Sequence, residues 1–251
     1  MNEDCELLRK RFLELSRKSE SAGIYCFSDF LGLSELATFG EIKTKLTCKY
    51  TLFGGTSGTE RVMVRFGDEN EIGYGCDFPI TCLRVAPKNA KFADKLTHRD
   101  FLGSILNLGI ERSMLGDIAI LDNVGYVFAK DTIAKYIAEE LSRIKHTDVT
   151  VSIADTIPEG ELFKTEFRRI QANGERVDAL IAKVFNLSRD DSSALFKRKL
   201  VFVDGRQIES SSYCPKEGET VSVRGYGRFI YRGYDSLSRK GKKNITVELY
   251  I

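Results

Sequence analysis

The sequence predicts an α+β chain of several domains, and three observations carry the prediction. Its 251 residues are enough for two domains or three small ones, each with a core of its own. Runs with helical spacing alternate with short apolar runs of strand character. Charge is also unevenly spread. Residues 1–171 carry 23 Lys and Arg against 26 Asp and Glu, whereas residues 172–251 carry 15 against 10. With 42% apolar residues, 29% charged and four prolines, the composition excludes a collagen, a disordered tail and a disulfide-stapled miniprotein.

Taken in order, residues 4–21 predict an amphipathic helix through Leu7, Leu8, Phe12 and Leu15. A short helix is expected over Asp29–Leu36, then strands over Lys45–Phe53 and Arg61–Phe66 around a turn from Gly54 to Gly58. Gly67–Asp77, with three glycines, reads as a junction, which makes residues 1–75 a small α/β unit. The segment 76–165 is expected to run β-α-β-β-α-β: strand Ile80–Val85, helix Thr97–Leu108, strands Asp117–Leu121 and Tyr126–Ala129, helix Thr132–Ile144 and strand Val149–Ile153. Thr97 and Asp100 have capping-box spacing, and Asp131 is placed to cap the second helix. The order is the split βαβ pattern of ferredoxin-like, or RRM-like, domains. Its third strand, GYVFAK, matches the RNA-recognition aromatic signature loosely, and its rings are equally suited to a core.

After a linker over Asp155–Thr165, a last domain is expected over 172–251. Val177, Leu180, Ile181, Val184 and Phe185 follow helical spacing, and Asn186-Leu187 ends that helix. Ser188 and Asp191 open a second one, to about Lys199. Strands follow at Leu200–Val203 and Thr220–Arg224, with turns at Asp204-Gly205 and Pro215–Gly218. Basic charge gathers here twice, in Lys197-Arg198-Lys199 and in seven cations between Arg224 and Lys243. The second cluster is interleaved with Tyr226, Phe229, Tyr231 and Tyr234, a mixture suited to a polyanion.

No window reaches the apolar length of a membrane span, and the charged start MNEDCELLRKRF is unlike a secretory leader, so the chain is expected in the cytoplasm. Six cysteines without a C-x-x-C pair read as reduced thiols. His98 and His146 lack metal-ligand spacing, and no metal, cofactor or small-molecule substrate is expected.

Arg176-x-Asp178-x-Leu180, Leu187-Ser188-Arg189, Leu200–Gly205 and Lys216–Val221 together resemble the S4-like RNA-binding domain. The pattern departs where that module usually has a glycine after its second helix and this chain has Lys197-Arg198-Lys199. Thr97–Gly103, Leu108–Arg112 and Leu115–Ile118, with Ser28–Leu31, Gly54-Gly55 and Glu60-Arg61, resemble the bacterial YlmH-type proteins over essentially the whole chain. The resemblance implies a factor that binds rRNA and tRNA on the large (50S) ribosomal subunit carrying stalled peptidyl-tRNA. It also implies support of quality control and alanine tailing, with a nascent-chain tailing factor as partner.

On that resemblance the RNA-binding residues are Arg176, Lys183, Ser188, Arg189, Lys197, Arg198 and Lys199, bordered across the sheet by Arg224 and Arg228. His98, Arg99 and Arg112 form a second candidate contact. A helix start favours phosphate, and an arginine there can bind it through two nitrogens. Asp178 reads as an intradomain partner for an arginine, and Ser188 as a cap above all.

Enzyme readings are weaker. His98-Arg99-Asp100 has neither the glycine loop nor the Asp-Phe-Gly of a kinase. Pseudouridine synthases with S4-like modules carry them ahead of the catalytic domain, whereas here the module comes last. The His-x-Gly-His and Lys-Met-Ser-Lys-Ser signatures of tyrosyl-tRNA synthetases are missing. A non-enzymatic RNA-binding factor is the expectation; the alternatives are an rRNA- or tRNA-modifying enzyme, a ribosome-assembly factor, and a pure protein adaptor.

Overall fold

A computed structural model describes residues 3–158, 160, 162–239 and 241–250. It divides the chain into two compact units, Met1–Phe163 and Lys164–Ile251. Among the described residues, no helix is long and apolar enough to cross a membrane.

The first unit opens with α1 (Glu3–Ala22), β1 (Cys26–Phe27) and α2 (Leu33–Ile42), followed by β2 (Tyr50–Phe53), β3 (Met63–Phe66) and the short α3 (Glu69–Ile72). β3 is the centre of an antiparallel sheet ordered β1-β3-β2. Phe12 and Leu15 of α1, Phe39 and Ile42 of α2 and Val64 and Phe66 of β3 form its core, with Phe12 and Phe39 meeting edge to face at 5.2 Å.

The expected second helix starts later than the sequence suggested. Residues 29–32 stay extended because Leu31 exchanges backbone hydrogen bonds with Val62, at 2.8 and 3.2 Å. The glycine-rich junction holds α3, whose N-cap Asp68 accepts from the Glu71 amide at 3.0 Å.

The unit continues through β4 (Ile80–Pro87), α4 (His98–Leu106), β5 (Leu115–Leu121), β6 (Val124–Lys130), α5 (Asp131–Glu140), β7 (Arg143–Ile144) and β8 (Thr147–Ile153). These strands make an antiparallel sheet ordered β5-β6-β4-β8-β7. Asp122 and Asn123, at φ 50° and 62°, form the two-residue turn between β5 and β6. One sheet face buries Leu83, Val85 and Val127 beneath Phe101, Ile105 and Ile137 of the two helices.

The other face belongs to a second core, in which Phe128, Cys82 and Ala119 pack with Phe30, Met63 and Leu162. Two details differ from expectation. α5 stops at Glu140, and Ile144 is buried in β7 instead of lying on the helix. Lys130 occupies the N-cap, while the Asp131 carboxylate accepts from the Thr81 hydroxyl at 2.6 Å.

The second unit contains β9 (Thr165–Ala172), α6 (Val177–Val184), α7 (Arg189–Lys197), β10 (Val201–Val203), β11 (Arg206–Gln207), β12 (Thr220–Val223), β13 (Gly227–Leu237) and β14 (Lys243–Tyr250). The six strands are ordered β11-β10-β12-β13-β14-β9, every pairing antiparallel. Both helices lie on one face. Val177, Leu180, Ile181 and Val184 of α6 and Leu195 and Phe196 of α7 pack on Val221, Val223, Phe229, Ile245 and Val247.

Candidate nucleic-acid interface

Two local devices fix the α6–α7 pair. At the end of α6, Asn186 adopts φ 53° and the Leu187 amide reaches back to Ala182 at 2.9 Å. This left-handed closure turns the chain straight into the Ser188 cap of α7. Ser188 Oγ accepts from the Asp191 amide at 3.0 Å and donates to the Asp191 carboxylate at 2.6 Å. Buried Ser192 then ties α7 to the first turn of α6 by donating to the Asp178 carbonyl at 2.8 Å.

The starts of both helices therefore border one cavity of about 230 Å³, lined by Asn173, Gly174, Arg176, Asp178, Ala179 and Arg189. Asp178 holds the Arg176 guanidinium through both oxygens, at 3.1 and 2.8 Å, so it is the arginine partner the spacing implied. Arg189, the first residue of α7, is exposed beside it. Two helix starts, the Arg189 guanidinium and the Arg176 guanidinium held by Asp178 thus line one concavity, where the helix dipoles and the arginines favour an anion and Asp178 offsets one positive charge. Asn173 and Gly174 were read from the sequence only as the start of the last domain and not as site residues; their place just before α6 is the signal that marks them.

At the far end of α7, Lys199 takes φ 57°, with its own amide on Phe196 and the Leu200 amide on Leu195. Here a lysine carries the left-handed turn that a glycine most often carries at a helix C-terminus. Lys197 and Lys199 line a second depression of about 460 Å³ with Phe196 and Glu209, and Lys199 pairs with Glu209 at 3.7 Å. Arg198 is exposed beside them, and Lys183 is exposed on α6.

Arg224 and Arg228 do not border this face. Val221 and Val223 point to the helices, so the alternation of β12 and its register with β13 turns Arg224 and Arg228 to the opposite side of the sheet. There Arg224 lies over the Phe202 ring at 4.9 Å and Arg228 over the Tyr250 ring at 3.9 Å. Of the four rings in the basic run, Phe229 and Tyr231 are buried core residues, while Tyr226 and Tyr234 are exposed. Lys240 of that run lies outside the described residues.

In the first unit, His98 and Arg99 are exposed at the start of α4. Asp100 closes the capping box on Thr97 at 2.7 Å and pairs with Lys145 at 2.8 Å. Lys145, with help from Thr97, pulls its carboxyl down to about 2. Arg112 serves the unit itself: its Nη1 donates to the Leu115 and Gly116 carbonyls at 2.7 and 3.0 Å, and burial lowers its pKa to about 10. The aromatic strand GYVFAK has its Phe128 ring fully buried against Gly55 and Gly116, so this ring is core and offers no face to a base.

Comparison with known proteins adds to this geometry. Residues 75–157 match the family model described as "Putative RNA-binding domain in YlmH". The chain is 26% identical over 228 residues to "Ribosome-associated protein quality control protein P2" of Bacillus subtilis (strain 168), covering 88% of this chain and 86% of that protein. A solved structure, "Cell division protein ylmH from Streptococcus pneumoniae", aligns with a TM-score of 0.48 at 19% identity, over 61% of this chain and 93% of that one. The chain thus resembles YlmH in its middle segment and is similar to the Bacillus protein along most of its length.

Proposed function

We propose that the chain is a non-enzymatic RNA-binding factor of ribosome-associated quality control, working in the cytoplasm. In this reading residues 76–165 are a ferredoxin-like, RRM-like domain and the last domain is an S4-like module. The observation that carries the reading is the cavity where the starts of α6 and α7 bring Arg176 and Arg189 together. The quality-control role is supported by the name of the Bacillus relative and by the family match to an RNA-binding domain. The proposed partners are rRNA and tRNA on a large subunit with stalled peptidyl-tRNA, and a factor that tails the nascent chain with alanine.

The test is co-sedimentation with purified large subunits, with and without peptidyl-tRNA, across a salt series. Binding should prefer the loaded subunit and weaken steeply with salt. The triple variant Arg189→Ala, Lys197→Ala, Arg198→Ala should bind more weakly, with a log–log salt slope shallower by up to about 2.7. Equal binding to loaded and empty subunits would replace this reading with an assembly or modification factor. An unchanged affinity in the folded triple variant would remove the α6–α7 face.

A further inference from the structure

The face of the six-stranded sheet turned away from α6 and α7 carries a second set of cations and rings. Residues opposite one another on antiparallel strands share a face. Register sets Arg228 opposite Ser222, Glu248 opposite Ile230 and Phe167, and Thr246 opposite Arg169. Ile245, Val247 and Leu249 of β14 alternate with these positions and face the helices, which fixes the first set on the outer side. Phe167 of β9 is 72% exposed there.

Three arginines stand on the same face. Arg232 pairs with Glu248 and Arg169 with Asp235, at 2.5 and 2.7 Å, and Arg228 lies on the Tyr250 ring. With Arg224, the described residues of β9, β12, β13 and β14 and the turn after β12 give this face four guanidiniums and two carboxylates, Glu248 and Asp235.

We propose that this face binds a single-stranded RNA segment, with Phe167 stacking on a base and Arg169 and Arg232 receiving phosphates. A stacking ring accepts any base, because every base presents a π-face. The ion pairs do not close the surface. The Arg169–Asp235 pair is exposed and therefore weak, and Glu248, whose side chain is largely covered, also accepts from the Thr165 hydroxyl at 2.6 Å, so it keeps a partner when Arg232 turns to a phosphate. An acidic protein segment would satisfy the arginines but would leave the exposed ring unused.

The inference rests on the RNA-binding reading but names a surface separate from the α6–α7 cavity, and its test keeps the two apart. The full chain is titrated by fluorescence anisotropy with a labelled oligouridine of about 15 nucleotides and with a labelled RNA hairpin. Phe167→Ala should weaken oligouridine binding about 5- to 150-fold without changing its salt slope. Arg169→Ala with Arg232→Ala should lower that slope by about 1.4. Hairpin binding should stay as it was in both variants and fall in the Arg189, Lys197, Arg198 triple variant.

Unchanged oligouridine affinity in both sheet-face variants, with melting curves showing them folded, would overturn the inference. Displacement of oligouridine by length-matched polyglutamate as effectively as by unlabelled oligouridine would assign the face to an acidic protein instead. A chain that binds the hairpin but no oligouridine sinks this inference alone, whereas one that binds neither removes the RNA-binding reading with it.

Discussion

Gly55 stands at φ 103°, and a β-carbon there would overlap the Phe128 ring. It belongs to a joint built from several scattered motif residues. Arg61 donates to the carbonyls of Phe30, Leu115 and Arg112, at 2.9, 3.0 and 3.2 Å. The Asp117 carboxylate accepts from the backbone amides of Glu60 and Arg61. A side chain at Gly116 would press on Phe30 and Phe128. These pieces are recognisable in the sequence as motifs, but spacing could not show that they meet, because 54 residues separate Arg61 from Leu115. Their chemistry here is structural: a guanidinium buried at a joint is satisfied by carbonyls, and burial lowers its pKa. Gly55→Ala should therefore destabilise the chain by about 2–4 kcal/mol, from overpacking and left-handed backbone strain together. Urea denaturation measures it, and a loss no larger than that of an exposed substitution would show that the ring moves aside freely.

At the scale of elements, the N-terminus of α4 is the case where sequence and geometry agree most closely. Thr97 and Asp100 stand three apart and form the capping box, and Lys145 joins them from the turn between β7 and β8. The Asp100 carboxyl is held below an aspartate's ordinary 3.8, at about 2, so it binds its proton more weakly in the folded chain than in the unfolded one. Its stabilisation is thus fully present above pH 3.8 and disappears as the pH falls toward about 2. Asp100→Asn should lower the urea midpoint at neutral pH, and the gap to the parent chain should close across that acidic window. A gap that stays constant down to pH 2 would mean that the carboxylate charge contributes nothing.

The amphipathic helices α1, α4 and α6 were legible because one face of each is buried and the apolar spacing records it. β9, β13 and β14 were not. Their outer face carries Phe167, Arg169, Arg232 and Glu248, and two register shifts break the alternation of β13, so charge masked the strand pattern. The basic run read as a polyanion surface is in large part a strand hairpin. For the same reason the helix-face residues were identified, while Phe167, Arg169 and Arg232 were overlooked as site residues.

For the whole molecule, the two units have separate cores, and the second is complete only from Lys164. The sequence placed the start of the last domain at Ala172, where the turn Asn173-Gly174 precedes a clear helix. β9 lies before that point and pairs with β14 along all eight residues, from Thr165 opposite Tyr250 to Ala172 opposite Lys243. It also contributes Ile170 and Ala172 to the core beneath the helices. A fragment 164–251 should therefore unfold in one cooperative transition and keep its hairpin-RNA affinity. A fragment 172–251 loses the partner of β14, which becomes an open edge, together with the roughly 1.5–3 kcal/mol that a buried isoleucine supplies. Its urea midpoint should fall well below that of the longer fragment, and concentration-dependent association should appear in sedimentation velocity. Equal midpoints for the two fragments would place the start of the folding unit at Ala172 and leave β9 as an appended strand. A lower midpoint makes β9 part of the second unit's fold and Phe167 a residue held in place by it.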